Sequence, residues 1–190
     1  MSSILKVDQL QDSGGNAIIT SNGSGTITVN SQPFKNGITM ADQWRLTADT
    51  NESTNADVTS NWERNDSSGY GSLGTGLTES SGIFSFPSTG IYLIIFTASY
   101  ITIGNDTFTQ FQLNTTLDNS SYNLVSEAIG GNGSSNTTIT TGSAQFIFDV
   151  TNTTNNKFKF STLNFATSTR LKGDTSVNET HFTAFRLGDT

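Results

Sequence analysis

Between residues 82 and 101 the hydrophobic pattern of the chain changes twice, and those changes predict most of the architecture. Ile83-Phe84-Ser85-Phe86 alternates, so Phe84 and Phe86 project from one side of a pleat and Ser85 from the other. Pro87 and Gly90 then mark a corner. Beyond it Tyr92, Ile94 and Phe96 share one face while Ile91, Leu93 and Ile95 share the opposite one, leaving neither for water. One face fills a sandwich core. The other requires a second sheet, a covering element or a neighbouring subunit.

Similar runs predict strands at 43–47, 61–64, 83–86, 91–101, 108–117, 122–128, 138–150, 157–165 and 181–187. Turn residues separate them at 104–106, 117–121, 130–136, 151–156 and 173–178, and the polar stretch before residue 76, which contains Trp62 and Tyr70, is mostly turn material. Phe84/Phe86, Phe146/Phe148 and Phe158/Phe160 are spaced two apart, which sends each pair into a core. Residues 1–40 differ: short β-branched runs at 4–10, 16–20 and 26–30 alternate with Gly/Ser/Asn turns, and a Pro33 corner closes the series. Such thin strands hold one of the 13 phenylalanines, Phe34, and cannot enclose a core alone. This leader is disordered, wound with copies of itself, or laid on a larger partner.

Abundant Asn, Ser, Thr and Gly point to strands and turns and away from helices. The expected class is all-β, a sandwich, jelly roll or barrel over 41–190. With no cysteine there is no disulfide framework, thiol nucleophile or zinc-thiolate site. A formal charge of −7 with 9 scattered Lys and Arg disfavours nucleic acid as a partner. The longest apolar run, 91–96, is far below the ~20 residues of a membrane helix, and no export signal is read at residues 1–8. Ten Asn-X-Ser/Thr triplets follow from composition alone and are read as chance.

Gly82-Ile83-Phe84-Ser85-Phe86-Pro87-Ser88-Thr89-Gly90-Ile91-Tyr92-Leu93-Ile94 resembles the Gly-X-Phe-X-X-Pro-X-X-Gly-X-Tyr-X-Phe strand of the complement and tumour-necrosis-factor superfamily, with Ile94 replacing the usual aromatic. The closing run Phe182-Thr183-Ala184-Phe185-Arg186-Leu187-Gly188 suits the aromatic terminal strand of those heads. The resemblance implies a ten-stranded jelly roll that assembles as a trimer, with Phe84, Phe86, Tyr92, Ile94, Phe96, Phe146, Phe148 and Phe185 in its core or interface. Residues 3–19, Ser-Ile-Leu-Lys-Val-Asp-Gln-Leu-Gln-Asp-Ser-Gly-Gly-Asn-Ala-Ile-Ile, resemble the leader of structural proteins from marine bacteriophages of cyanobacteria and related bacteria. That likeness implies a virion appendage, assembled in the host cytoplasm, with residues 1–40 binding other virion proteins.

Candidate chemistry is sparse. His181 is the only histidine, and no nucleophile-elbow sequence accompanies it. Glu63 with Glu127, or Asp106 with Asp118, would be the carboxylate pairs of a glycosidase, but scattered solvated acids explain them. The superfamily resemblance allows structural calcium at Asp66, Asp106 or Asp174, although no loop has ligand spacing, and no cofactor is expected. Trp62, Tyr70 and Tyr122 lie beside polar turns where an aromatic ring could stack on a receptor sugar. The reading is a non-enzymatic trimeric tail fibre or spike that binds a host-surface glycan or protein. Its alternatives are a capsid or tail decoration protein and, behind it, a polysaccharide depolymerase. Tyr92→Asp is expected to abolish the fold or the trimer by placing a charge in a dry setting; a soluble, unchanged trimer in sedimentation would refute that packing assignment.

Overall fold

Every regular element among the described residues is a β-strand, as the scarcity of helix formers requires. The computed structural model describes residues 7–29, 37–50, 55–104, 106–133, 136–165 and 168–190. The chain divides into two compact units at Asn36/Gly37. In the first, β1 (Gln9–Gln11), β2 (Ala17–Ser21) and β3 (Ile27–Val29) form an antiparallel meander in the order β1-β2-β3. Residues 4–6 of the first expected run, and the Pro33 corner with Phe34, lie outside the described residues.

The second unit is a two-sheet sandwich. Its first sheet contains β4 (Met40–Leu46), β5 (Trp62–Arg64), β8 (Gly90–Thr102), β11 (Thr138–Val150) and β14 (His181–Gly188), ordered β11-β8-β14-β4-β5, and the short β13 (Arg170–Leu171) pairs with β8. The second contains β6 (Thr78–Ser80), β7 (Ile83–Ser85), β9 (Asp106–Thr116), β10 (Asn123–Asn132) and β12 (Lys157–Leu163), ordered β10-β9-β12-β7-β6. Consecutive strands repeatedly change sheet, which is the winding of a jelly roll.

The core is aromatic. Phe84 stacks on Phe158 at 5.0 Å and meets Phe182 edge-on at 4.7 Å, while Phe111 stacks on Phe160 at 4.7 Å. Phe182 and Phe96 come from the first sheet, and Phe84, Phe158, Phe160 and Phe111 from the second, so the rings bolt the sheets together. Each such ring is worth roughly 3–5 kcal/mol against alanine. Phe84, Phe86, Tyr92, Ile94, Phe96 and Phe148 lie in this interior, with Phe146 packed partly against it. At the corner, the Tyr92 hydroxyl donates to the Ser88 carbonyl at 2.9 Å. Gly90 has φ 144°, and a Cβ there would meet Arg186 Nε and the Gly188 carbonyl at 2.5 Å, so the corner admits no side chain.

Three expectations shift. β6 was not foreseen because Thr78-Glu79-Ser80 is polar; its hairpin to β7 turns on Ser81 and Gly82, both at positive φ. Gly130 and Gly131, expected in a turn, belong to β10: a Cβ on Gly131 would meet the Thr107 carbonyl at 2.3 Å, so glycine serves close strand approach there. The third shift is β13, whose two residues are too few for a pattern to register.

The 70–77 part of the polar stretch is pinned by one buried carboxylate on β4. Asp42 accepts from Arg64 Nε at 2.9 Å, Trp44 Nε1 at 3.0 Å, the Leu77 amide at 2.8 Å and the Tyr70 hydroxyl at 3.1 Å. The Arg64 guanidinium in turn lies over the Trp44 ring at 4.8 Å. Burial above all holds the Tyr70 hydroxyl above its ordinary pKa, so it stays a donor to Asp42. Asp42→Ala orphans a buried indole N–H and a buried amide together; chemical denaturation is expected to show a loss of about 3 kcal/mol.

Candidate functional site

Register places an apolar row across the outward face of the first sheet. Ile147 on β11 lies opposite Leu93 on β8, Leu93 opposite Phe185 on β14, and Phe185 opposite Ala41 on β4. An isolated bridge then sets Leu73 beside Ala41. Directly opposed residues share a face, so these five line up, with Ile91 and Ile95 two positions to either side of Leu93. Ile147 is 60% exposed and Ile95 37%, while Leu93 and Phe185 are half-buried by their neighbours. Scattered exposed hydrophobes are ordinary, whereas here the exposed Ile147, Ile95 and Leu73 are linked by half-buried Leu93, Phe185 and Ala41 along one face.

Further along the strands the same face turns polar. Thr97 Oγ1 and Ser143 Oγ lie 2.8 Å apart, and Gln43 Nε2 donates to Thr183 Oγ1 at 2.8 Å. At the far end Arg45 is fully buried under the 65–67 and 174–178 segments, donating to Glu63 at 2.8 Å, Asp66 at 2.6 Å, Ser67 at 2.7 Å and the Thr175 carbonyl. A guanidinium with that many acceptors has its desolvation compensated and roofs this end of the sheet. The apolar row is left open, as are Ser143 in the polar middle and Ile139 beyond it on β11.

A second apolar surface lies where edge strands β10 and β11 part. A groove of about 460 Å³ is lined by Leu117, Val125, Phe146, Ile147 and Phe148 together with the polar Thr115, Asn123, Asp149 and Thr151. Two linked turns set its mouth: the Asn119 amide donates to the Asn155 carbonyl at 3.0 Å, and Asn156 Oδ1 accepts the Thr151 and Asn152 amides at 2.9 Å each. Asp118 folds the first turn by accepting the Ser121 and Ser120 amides at 2.7 and 2.8 Å and the Thr116 hydroxyl at 2.9 Å. These donors, the Ser121 amide first, hold its carboxyl down at about 2.

The residues singled out for chemistry are dispersed and occupied. Phe185 sits in the outward row, apart from the seven interior positions grouped with it. Trp62 packs on Phe84, Phe160 and Phe182 and donates its Nε1 to the Val58 carbonyl at 3.0 Å. Tyr70 serves Asp42, and the Tyr122 ring lies 4.4 Å under the Lys159 ammonium. All three aromatics are therefore engaged within the head. His181 points outward with Nδ1 3.2 Å from the Glu179 carbonyl. Glu63 is held by Arg45 in the first sheet, and Glu127 by Gln110 in the second. Asp106 accepts from Thr169 at 2.6 Å, whereas Asp174 caps its own loop by accepting the Ser176 amide at 2.6 Å. Among the described residues no three His, Cys, Asp or Glu side chains gather as a metal site. A small cavity of about 120 Å³ is lined by Asp57, Ser60 and Thr162, and Asp57 is tied to the Lys159 ammonium at 2.6 Å. The groove escaped sequence reading because its walls come from strands that read as ordinary core.

No family model matches the sequence, and no curated protein does. Solved structures do match its fold. The Eiger TNF of S. frugiperda is similar with a TM-score of 0.59 at 13% identity, over 84% of this chain and 96% of that one. Murine APRIL is similar with a TM-score of 0.56 at 14% identity, over 78% and 98% of the two chains. The chain thus has the jelly-roll fold of tumour-necrosis-factor proteins.

The Asp118 turn gives a pH test. Its folded carboxyl pKa lies below the ordinary ~3.9, so its contribution is complete above that value and is lost as pH falls through about 2. NMR titration is expected to show the Ser120 and Ser121 amides moving together near pH 2, and the transition vanishing in Asp118→Asn.

Proposed function

We propose that this chain is a non-enzymatic attachment protein of a bacteriophage virion, a homotrimer whose head binds a host-surface glycan or protein and whose leader joins the particle. The observation that carries the proposal is the open apolar row Ile147, Leu93, Phe185, Ala41 and Leu73. A ring of three identical subunits needs two different, complementary patches on each subunit. The Leu73 end of the row and the β10/β11 groove, which meets the row at Ile147, are two such patches at opposite ends of the sheet face. The tumour-necrosis-factor fold and the superfamily likeness of residues 82–94 support three-fold closure, and the leader's likeness supports the virion. Three weak sites on one axis would gain by avidity, which suits reversible scanning of a cell surface.

One observation favours the decoration reading. Trp62 and Tyr70 are half-buried and bonded within the head, and one face of the half-buried Tyr122 ring is taken by Lys159. A head that only cements its neighbours needs no displayed ring.

Sedimentation of the full chain is expected to give a trimer, with Leu93→Asp reducing it to monomer and Leu163→Asp, on the other sheet, leaving it intact. A wild-type monomer at micromolar concentration refutes the assembly. The trimer is expected to bind intact host cells and block infection. A trimer that does neither assigns the protein to decoration, and release of sugar from host envelopes overturns the non-enzymatic reading.

A further inference from the structure

The β1–β3 sheet is two-faced. Leu10 lies opposite Ile19 on adjacent strands, and Ile27 lies opposite Ser21, two positions beyond Ile19, so Leu10, Ile19 and Ile27 share one side. Gln9, Thr20 and Thr28 are paired across the sheet on the other side. Leu10 is 51% exposed and Ile27 64%. The hairpin turns need no partner: Asp12 Oδ1 accepts the Gly14 and Asn16 amides at 2.8 and 2.9 Å, and Asn22 Oδ1 accepts the Ser24 amide at 2.9 Å. The leader is therefore shaped in advance, with an apolar face that three short strands cannot cover.

We propose that this face is covered by the same face of two other copies of the chain, so that three leaders close around one shared apolar axis; the proposal rests on the trimeric reading of the head. Size selects the occupant. Three partly exposed side chains fall far short of the roughly 800 Å² per partner that a stable encounter between free proteins buries. Tethered copies face no such threshold. Residues 30–39 join β3 to β4, a reach of at most about 35 Å, so three leaders on one trimeric head meet at an effective concentration on the order of millimolar. Closure also places the outer edges of β1 and β3, which have no partner strand in the three-stranded order, beside those of neighbouring copies. The polar side and the turns stay outward, available to the particle.

The absence of cysteine from the chain makes the test direct. Full-length Ile19→Cys and Leu10→Cys, on the apolar side, and Thr28→Cys, on the polar side, are oxidised and run without reductant, with the quaternary state of each followed by sedimentation. Ile19→Cys and Leu10→Cys are expected to form disulfide-linked dimers, in at most two of every three chains, and to react with maleimide at least ten-fold more slowly than Thr28→Cys. If both apolar-side variants sediment as trimers yet stay as reactive as Thr28→Cys and uncrosslinked, the leader proposal fails while the trimeric head stands. A wild-type monomer overturns both.

Discussion

The constraint on which the rest depends is that β8 is apolar on both faces. On its inner side Tyr92 meets Phe86 and Phe96 meets Phe111 and Phe160 of the other sheet, contacts that form only when two sheets close face to face. Once that side is consumed, Ile91, Leu93 and Ile95 are committed to the outside, and among the described residues no strand of the head crosses over them. The open row is thus a direct result of the interior packing, and burial of further apolar area supplies the drive for anything that covers it.

Polar groups decide where that surface stops. Arg45 and Asp42 sit three residues apart on β4 and project from opposite faces. Arg45 gathers the 65–67 and 174–178 segments over the outward face, whereas Asp42 anchors the 70–77 stretch from within. Two ionised side chains, each fully surrounded by partners, hold most of what the sequence presents as featureless polar loop. The same stretch delivers Leu73 to the end of the apolar row.

The sandwich was legible because aromatic and β-branched residues at a period of two leave few alternatives, and the corner before β8 is written in Pro87 and Gly90. Which face of β8 turns inward was less so, since both are apolar and only cross-strand register sorts Leu93 from Tyr92. Gly130-Gly131 misled because glycine in a turn and glycine beneath a crossing strand look alike in a sequence. Trp62 and Tyr70 were illegible for another reason: each lies among polar residues locally, while its packing partners are far away in the chain. The groove is wholly tertiary, built where two edge strands part.

β14 lies between β8 and β4, although it follows both by many residues in chain order. Until residues 181–188 have left the ribosome, the first sheet is two unjoined pieces, β11-β8 and β4-β5, and the outward row lacks Phe185. Translation order therefore withholds the completed outward row from a nascent chain until β14 has entered its sheet.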